Sequence, residues 1–394
     1  MSAKVRIALL GYGTVGQGFA EVLSQLGSER FVIHGIAVRD QTKVRNAAYT
    51  FTTNVDALIA DPKVDVVVEA TGNTDSILQW YHLANALSKP FITANKAFVS
   101  RYPQLRENLF YDAACGGAMP AVRFSDAVFY QGVSAVRGIL NGSTNFILSS
   151  VFLDGLRFAD ALQIAKERGF VEPDERLDLN GQDPAAKLSI LVRHLFKAEV
   201  KPSQVAVIPL LAFGEADVRF IRRRNLGLRY IATAKKEGDS LALRVVPELL
   251  PLNDAFLDVR GEENALSITD AAGESYFLKA RGAGRTPTGV ALFNDVLAAV
   301  DGHAYRSSLR HRLTDSKSDA EAVVRSHNGI STQLSSGQLL GCWSEGGHVF
   351  EHLVCPLDEL VTLAHLDTQL QPYLVSDALR GTRFLPASWH LEEV

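Results

Sequence analysis

The sequence predicts an α/β protein whose N-terminal part is a doubly wound parallel sheet, and three observations lead to this prediction. An aliphatic run over residues 5–10 is followed at once by the glycine-rich turn 11–16. Apolar residues then recur at helical spacing over residues 15–26. Two more apolar runs, residues 31–38 and 64–69, are separated by further segments, which is the order of a βαβ sheet.

The glycine-rich turn has the sequence GYGTVG and lies between a predicted strand and a predicted helix. Strand, GxGxxG turn and helix in this order form the fingerprint of a Rossmann-type domain that binds a dinucleotide. We expect Gly11 to allow the turn, Gly13 to let a pyrophosphate approach, and Gly16 to let the helix pack on the strand. Thr14 and Val15 begin that helix, whose N-terminus attracts phosphate. The alternative is a glycine turn that binds no ligand.

The residues after the second strand bear on which dinucleotide is bound. Arg39 comes first, Asp40 follows, and Lys43 lies close behind. An acidic residue at this strand end suits the ribose 2′-hydroxyl of NAD, whereas an arginine suits the 2′-phosphate of NADP. The order of the residues favours NADP, and Asp40 keeps NAD open.

Polar residues follow the next two strands, where ligands of an open α/β sheet bind. Thr71 and Gly72 follow the strand that ends at residue 69, and Asn95 and Lys96 end a fourth predicted strand that begins at residue 90. We therefore expect these four residues near the cofactor. A lysine in such a position can also be a solvated charge.

Composition excludes several functional classes. The chain has 394 residues, 47% of them hydrophobic, and a formal net charge of −4, which predicts two or three domains and no nucleic-acid partner. Because no apolar run is long enough for a membrane span and no secretory leader is recognisable, we expect no membrane association. Three cysteines without CxxC spacing indicate a reducing compartment, with the cytoplasm as the default, and argue against structural zinc.

The stretch from Gly169 to Leu188 concentrates acidic residues in front of a helix and one lysine inside it. We expect Asp183 to be the N-cap and Pro184 the first helical residue. Lys187 then lies one turn above Asp183 on the same helix face. A lysine beside carboxylates can bind an ammonium-bearing substrate and exchange a proton with it. The alternative is a solvated acidic loop in front of an ordinary helix.

With these pieces in place, the chain resembles the homoserine dehydrogenase family. The resemblance rests on five motifs that occur in the family's order between residues 4 and 300: GYGTVG, TANK at 93–96, GILNGSTNFIL at 138–148, the acidic stretch 172–187, and GAGRTPT at 282–288. The third and fourth motifs are the most specific of the five.

The resemblance implies a Rossmann-type nucleotide-binding domain with an inserted α+β domain for substrate binding and dimerisation. Residues 1–135 would form the first domain, completed by about 281–300, and residues 136–280 the second. The chain itself agrees, because the βα pattern changes after residue 136, with a helix predicted at 161–168 and strands at 226–234 and 241–246. A homodimer is expected.

The resemblance also implies the reaction, which is NAD(P)-dependent interconversion of L-homoserine and L-aspartate 4-semialdehyde. Lys187 would be the proton donor and acceptor, and Lys96 a second candidate that also lies near the cofactor. The implied substrate-binding residues are Glu172, Asp178, Asp183, Gly142 and Ser143, and Gly282 joins the implied cofactor site.

A monovalent cation, Na⁺, is a further implication of the resemblance. The aligned loop has Asp112 where the family has glutamate, one methylene longer. Main-chain carbonyls around Asp112, Cys115, Gly117 and Met119 would supply the oxygens. The alternative is a Gly-Gly turn beside the cofactor, with Cys115 as a small buried residue.

Residues 301–394 form a C-terminal extension to which the sequence assigns no function. We expect strands at 329–331, 339–343 and 348–350, a turn at 344–347, and a helix at 356–366. Many long relatives carry a regulatory ACT domain there, but no ACT signature is recognisable.

Two functional alternatives stay open, and the Asp112 change and this extension motivate the first of them. One is an oxidoreductase retuned to another small amino or hydroxy acid. The other is a catalytically silent nucleotide-binding regulator, against which the presence of Lys96, Lys187 and the acidic loop argues.

Overall fold

The computed structural model describes residues 4–43, 48–72, 75–105, 107–129, 131–171, 174–282, 284–305, 314–315, 319–330, 333–345 and 347–380. The chain divides into two compact units. The first consists of Met1–Gly132, Ser189–Lys201 and Ala280–Arg312, and the second of Val133–Leu188, Pro202–Lys279 and Leu313–Val394. The domain boundaries predicted from the sequence refer to functional domains, which this division into compact units does not test. They therefore stay predictions.

The helices are α1 (Thr14–Leu26), α2 (Val55–Ala60), α3 (Ile77–Ala86), α4 (Lys96–Arg101), α5 (Ala113–Gly116), α6 (Ala121–Val128), α7 (Gly142–Phe152), α8 (Phe158–Glu167), α9 (Arg176–Leu179), α10 (Gln182–Phe196), α11 (Glu215–Arg223), α12 (Arg285–Val300) and α13 (Leu357–Leu366).

The strands are β1 (Val5–Leu10), β2 (Phe31–Ala37), β3 (Phe51–Thr52), β4 (Val66–Glu69), β5 (Phe91–Thr93), β6 (Leu109–Phe110), β7 (Val133–Ile139), β8 (Ala206–Val207), β9 (Leu226–Glu237), β10 (Ser240–Pro251), β11 (Glu263–Asp270), β12 (Ser275–Arg281), β13 (Thr314–Asp315), β14 (Asp319–Ser326), β15 (Gln338–Glu345), β16 (His348–Pro356) and β17 (Gln371–Val375). Helix α10 contributes residues to both units.

The first unit contains a six-stranded parallel sheet in the order β3-β2-β1-β4-β5-β6. Strand β1 lies between β2 and β4, so the strand order reverses beside it, which is the topological switch point of a doubly wound fold. Apart from Arg6 and Glu69, β1 and β4 consist of aliphatic residues, as expected for central strands with both faces buried. The predicted fold class, a Rossmann-type domain with a second mixed α/β region, is confirmed.

Helix α12 packs against α1 within the first unit, to which the chain returns after the second-unit segments Val133–Leu188 and Pro202–Lys279. The contact depends on glycine, since a Cβ on Gly18 would lie 2.0 Å from the Arg285 carbonyl oxygen. A Cβ on Gly289 would lie 2.6 Å from the Gly18 carbonyl carbon. Leu292 and Val296 of α12 are fully buried in the core that α1 shares.

The second unit is built on an eleven-stranded sheet. Its main path runs β12-β11-β7-β9-β10-β17-β14-β16-β15, and β8 and β13 pair with β10. The C-terminal extension therefore continues the sheet of the second unit through the parallel pairing of β10 with β17. The strands predicted over 226–234 and 241–246 are β9 and β10, and both run longer than predicted.

The C-terminal extension differs from the sequence prediction at one strand. Residues 329–330 are not in a strand, because β14 ends at Ser326 and Gly329 takes a positive φ of 80°. The buried Glu351 carboxylate accepts a hydrogen bond from the main chain of Ile330, which fixes this turn, and Ser331 lies outside the described residues. The predicted turn connects β15 and β16, and the predicted helix is α13.

Helices in the described part of the chain all lack the combination of length and apolar composition that a membrane span requires.

Candidate active site

The glycine-rich turn of the first unit has the geometry that its sequence predicts. Gly11 has a φ of 94°, its N–H donates to the Ala37 carbonyl oxygen at 2.9 Å, and a Cβ there would lie 2.6 Å from the Ala70 carbonyl oxygen. A Cβ on Gly16 would lie 2.2 Å from the Gly11 carbonyl oxygen, so α1 can pack on β1 only with glycine there. Gly13 faces open space, which leaves room for a phosphate group.

A cavity of about 670 Å³ lies at this turn. Its lining comes from the glycine turn, the segment after β2, the start of α2, the end of β4 and one residue of α3: Gly11, Gly13, Ala37, Val38, Arg39, Asp40, Lys43, Thr53, Val55, Ala70, Thr71 and Trp80. Four of the predicted cofactor residues, Gly11, Gly13, Arg39 and Thr71, thus line one cavity. Thr14, Val15 and Gly16 form the first turn of α1 beside it. The cavity and the open N-terminus of α1 fit a dinucleotide.

Asp40 lines the cavity with a carboxylate that also organises the turn behind it. Its Oδ1 accepts hydrogen bonds from the main-chain N–H of Thr42 at 2.8 Å and from the Thr42 hydroxyl at 2.6 Å. Arg39 and Lys43 bring two positive charges to the same cavity. This part of the cavity wall therefore carries two cationic side chains and one carboxylate, of which one oxygen is engaged in local structure.

Glu69 connects the segments that follow two neighbouring strands, β4 and β5, and was not among the residues predicted from the sequence. Its carboxylate accepts from Thr71 N at 2.6 Å, from Thr71 Oγ1 at 2.7 Å and from Thr93 Oγ1 at 2.6 Å. The side chain is fully buried, and this burial raises the pKa of the Glu69 carboxyl. The sequence offered one signal for this role, a glutamate at the end of an otherwise aliphatic strand. A carboxylate buried there requires several hydrogen-bond donors.

The hydrogen bonds of Glu69 reach the segment that contains Asn95 and Lys96. Thr93 Oγ1 accepts from Asn95 N at 3.0 Å, and Asn95 Oδ1 accepts from Phe98 N at 2.9 Å. Asn95 is therefore the N-cap of α4, and Lys96 is its first residue. Gly72, Asn95, Lys96 and Gly282 are described residues that do not line the 670 Å³ cavity, and their cofactor contacts stay predictions.

The loop predicted to hold a cation is tightly packed in the first unit. The buried carboxylate of Asp112 accepts from Val122 N at 2.9 Å, from Arg123 N at 3.3 Å and from Arg123 Nε at 3.4 Å. A Cβ on Gly117, which has a φ of 64°, would lie 2.2 Å from the Gly282 carbonyl oxygen. The Met119 carbonyl oxygen accepts from Ala121 N at 2.9 Å.

The Asp112 carboxylate thus serves α6 and Arg123, and does not fit a cation-ligand role. No cluster of three or more His, Cys, Asp or Glu side chains within the described ranges is placed to hold a metal. A cation at main-chain oxygens of Asp112, Cys115, Gly117 and Met119 stays a prediction, and we derive no step through it.

A second buried carboxyl, Asp295 of α12, lies near Asp112. Its Oδ2 accepts from Ala113 N at 3.2 Å and its Oδ1 from the Tyr305 hydroxyl at 2.7 Å. Burial and the negative charge of Asp112 raise the pKa of Asp295 to about 7. The pair belongs to the packing between α5, α6 and α12 of the first unit.

The second unit places Lys187 in a defined polar setting. Its side chain is buried, its Nζ donates to the Leu140 carbonyl oxygen at 2.6 Å, and its Nζ lies 3.0 Å from Asp183 Oδ2. Asn141 Nδ2 donates to the same Asp183 oxygen at 3.2 Å. The buried ammonium of Lys187 thus contacts a main-chain carbonyl and the Asp183 carboxylate, and Asn141 fixes the position of that carboxylate.

The N-terminus of α10 differs from the prediction that Asp183 is its N-cap. The helix begins at Gln182, whose N–H donates to Asn180 Oδ1 at 2.9 Å, and Gly181 has a φ of 79° before it. A positive φ at glycine lets the chain turn into the helix two residues earlier than predicted, so Pro184 is the third helical residue and not the first. Asp183 therefore lies in the first turn, and its carboxylate contacts Lys187 instead of capping the helix. The prediction that both share one helix face is confirmed.

The start of α7 places Gly142 and Ser143 next to Asn141. Asn141 is the N-cap, with Oδ1 accepting from Thr144 N at 2.8 Å. A Cβ on Gly142 would lie 2.9 Å from the Glu262 carbonyl oxygen, which favours glycine. The Ser143 hydroxyl donates to the Phe170 carbonyl oxygen at 2.5 Å, so its oxygen can accept a bond from a ligand ammonium.

The other predicted substrate residues lie in the acidic stretch. Asp178 is a half-buried residue of α9, and this short helix directly precedes the Asn180–Gly181 turn. Glu172 lies outside the described residues. Asn141 and the Leu140 carbonyl were not among the predicted site residues, although asparagine in front of Gly-Ser-Thr is a recognisable N-cap signal.

Two protein-family models match this chain. The NAD binding domain of homoserine dehydrogenase matches residues 11–120, and the homoserine dehydrogenase domain matches residues 123–297. Together they include the glycine turn, the start of α7 and α10.

Individual relatives agree with the family models. Homoserine dehydrogenase of Synechocystis is 31% identical over 318 residues, with 75% of this chain and 73% of that protein covered. The Bacillus subtilis enzyme is 29% identical over 381 residues, 89% and 87% of the two chains.

A solved structure is similar over nearly the whole chain. The crystal structure of a homoserine dehydrogenase from Thiobacillus denitrificans superposes with a TM-score of 0.82 over 95% of this chain and 99% of that chain. At 23% identity this similarity shows a shared fold. With the family models and a relative above 30% identity, the resemblance stated from the motifs is confirmed, and the chain belongs to the homoserine dehydrogenase family of nicotinamide-dependent oxidoreductases.

Proposed function

We propose that this chain interconverts L-homoserine and L-aspartate 4-semialdehyde with NADP(H), and that Lys187 transfers the hydroxyl proton. The observation that supports this proposal is the ammonium of Lys187, buried and held by the Leu140 carbonyl and Asp183. Asn141, which bonds to Asp183, and the adjacent Gly142 and Ser143 would provide acceptors for a polar substrate.

The chemistry divides between the cofactor and the protein. When bound, the nicotinamide accepts hydride from the alcohol carbon or returns it to the aldehyde carbon. Lys187 would donate a proton to the aldehyde oxygen during reduction, and its neutral amine would take the hydroxyl proton during oxidation. Asp183 and the Leu140 carbonyl fix the Nζ atom, so the proton moves at a defined position.

The substrate ammonium would be bound by acceptors of the second unit. Asp183 and Asp178 supply carboxylates within one short segment, and Ser143 presents a hydroxyl oxygen whose proton is directed at Phe170. Glu172 belongs to this proposal on sequence grounds. Charge-assisted bonds from an ammonium to such acceptors are stronger than neutral ones.

The preference for NADP(H) follows from the charges that line the cavity. Arg39 and Lys43, which line the cavity, would bind a 2′-phosphate, and Asp40 is partly engaged by Thr42. A guanidinium suits a phosphate because it can donate two parallel hydrogen bonds. NAD is the alternative that Asp40 supports.

Initial rates of NADPH oxidation with a panel of small aldehydes test the function. L-Aspartate 4-semialdehyde should be the preferred substrate, with the reverse reaction seen for L-homoserine and NADP. Turnover with a different aldehyde alone would favour a retuned oxidoreductase. Absence of turnover with the whole panel, despite nucleotide binding, would favour a silent regulator.

Substituting Lys187 tests its role as the proton-transfer group. Lys187→Ala should lower kcat by about 10²–10⁴-fold, the usual contribution of general acid–base catalysis, while KM for NADPH changes little. Small primary amines added to the variant should restore part of the rate. Lys235→Met, which removes an exposed lysine paired with Asp377 at 3.0 Å, is the matched control and should keep full activity. An unchanged rate in Lys187→Ala would remove this residue from the mechanism.

Substituting Arg39 tests the cofactor preference. Arg39→Met should raise KM for NADPH by about tenfold or more, because a charged hydrogen bond contributes roughly 1.5–3 kcal/mol. KM for NADH should change by less than about threefold, since NADH lacks the 2′-phosphate. Arg101→Met, an exposed arginine of the same unit, is the control. Equal loss with both cofactors would contradict the assignment.

Three further assignments belong to the proposal. Lys96 would assist at the cofactor, the chain would form a homodimer, and the carbonyl-lined loop at Asp112 would hold Na⁺. Light scattering tests the dimer, and exchange of NaCl for choline chloride in the assay tests the cation.

A further inference from the structure

The nucleotide cavity of the first unit has a wall that the glycine turn and the cationic residues do not explain. Gly11 and Gly13 lie where a pyrophosphate would bind, and Arg39 and Lys43 lie where a ribose phosphate would bind. Thr53, Val55 and Trp80 line another part of the same cavity.

Trp80 belongs to α3, and Val55 is the first residue of α2, which packs against α3. The indole is half-buried, so one part of it is held by the protein while another part remains accessible. A planar aromatic surface at the end of a nucleotide cavity matches the face of a purine base.

A second cavity of about 450 Å³ adjoins the first and shares Thr53, Val55 and Trp80 with it. Its other lining residues are polar: Asn54, Asp56, Ser76 and Gln79. Gln79 Nε2 donates to Asp56 Oδ2 at 3.3 Å, so this rim carries oriented acceptors and donors. The shared wall therefore offers an apolar surface followed by a polar rim, which is the pattern that an adenine ring with its exocyclic amine requires.

We propose that Trp80 stacks on the adenine of the bound dinucleotide, with the base lying where the two cavities meet. This inference rests on the proposed function, because it needs a dinucleotide in the first cavity. It assigns Trp80 to binding of the base, separate from Arg39, which acts on the phosphate.

Adenosine 2′,5′-bisphosphate is the probe for this proposal because it carries the adenine and the 2′-phosphate without the nicotinamide. The chain has three tryptophans, Trp80, Trp343 and Trp389, so tryptophan emission can report the contact. The bisphosphate should quench the wild-type emission saturably. Trp343→Phe, which changes a tryptophan of β15, should keep that quenching, whereas Trp80→Phe should bind with similar affinity and lose it.

Trp80→Ala should weaken binding of the bisphosphate by about 5- to 150-fold in calorimetry, the range expected for one base–aromatic stack. It should raise KM for NADPH and leave kcat unchanged. KM for reduced nicotinamide mononucleotide, which lacks the adenosine, should not change. Wild-type affinity for the bisphosphate in Trp80→Ala, or quenching retained in Trp80→Phe, would overturn the proposal. Absence of wild-type binding would instead overturn the proposed function and this inference with it.

Discussion

At the scale of single residues, spacing along a helix was the strongest sequence signal. Lys187 and Asp183 are four residues apart, and the Nζ–Oδ2 distance of 3.0 Å follows from the helix period. Their third partner, the Leu140 carbonyl, is 47 residues away and gives no signal in side-chain identity. The same holds for Glu69, whose partner Thr93 comes from a neighbouring strand. Contacts within a helix were predictable, whereas contacts across the fold were not.

Asp295 allows one to test how burial of a carboxyl group changes its pKa and the stability of the protein. Its pKa in the folded protein is about 7, above the ordinary 3.8, so the folded chain holds a proton that the unfolded chain releases. The stability contribution is therefore fully present below about pH 4 and is lost as the pH rises towards 7. Asp295→Asn should raise Tm relative to wild type by about 2 °C more at pH 8 than at pH 5.

Thermal unfolding of both proteins at the two pH values measures this difference. Asp301→Asn, which changes an exposed carboxylate of the same unit, serves as the control and should show no such pH dependence. If Asp295→Asn shifts Tm equally at pH 5 and pH 8, Asp295 is ionised throughout and the argument from burial fails.

At the scale of elements, the sequence predicted which segments are strands and helices better than where they begin and end. Helix α10 begins before Asp183 because Asn180 and the positive φ of Gly181 start it. The strand predicted at 329–331 failed because Glu351, from a strand 21 residues later, fixes that segment as a turn. Local propensity cannot anticipate a hydrogen bond that a distant side chain supplies.

The contact between β14 and α11 depends on a buried ion pair. Arg325 Nε lies 2.7 Å from Asp217 Oδ1, and both side chains are at most 5% exposed. Arg325→Met would leave Asp217 charged and buried, at a cost of about 3–5 kcal/mol. We expect Tm to fall by roughly 6 °C or more.

The exposed pair Lys235–Asp377 offers the matched comparison, because exposed ion pairs contribute at most about 1 kcal/mol. Lys235→Met should therefore leave Tm nearly unchanged, and Arg325→Met combined with Asp217→Asn should recover part of the loss. A small effect of Arg325→Met alone would mean that β14 is held by its apolar neighbours.

At the scale of the whole chain, the sheet of the first unit could be predicted from the sequence. The strand pairing of the second unit could not, although its strands β9 and β10 were predicted. Parallel βαβ units follow one another along the chain, so the order β3-β2-β1-β4-β5-β6 arises from consecutive segments and a glycine turn. The eleven-stranded sheet instead pairs β7 with β11, and β10 with β17, over more than 100 residues. The extension has no motif of its own, and its place in that sheet follows from pairing alone.

The account depends most on Lys187 acting at the reacting oxygen of the substrate. A crystal structure of the protein with NADP and L-homoserine tests this directly. We predict that the homoserine hydroxyl oxygen lies within hydrogen-bond reach of Lys187 Nζ, about 3 Å, with the substrate ammonium on the carboxylates of the acidic stretch. A hydroxyl oxygen bound elsewhere, with Lys187 still occupied by Leu140 and Asp183 alone, would contradict the account.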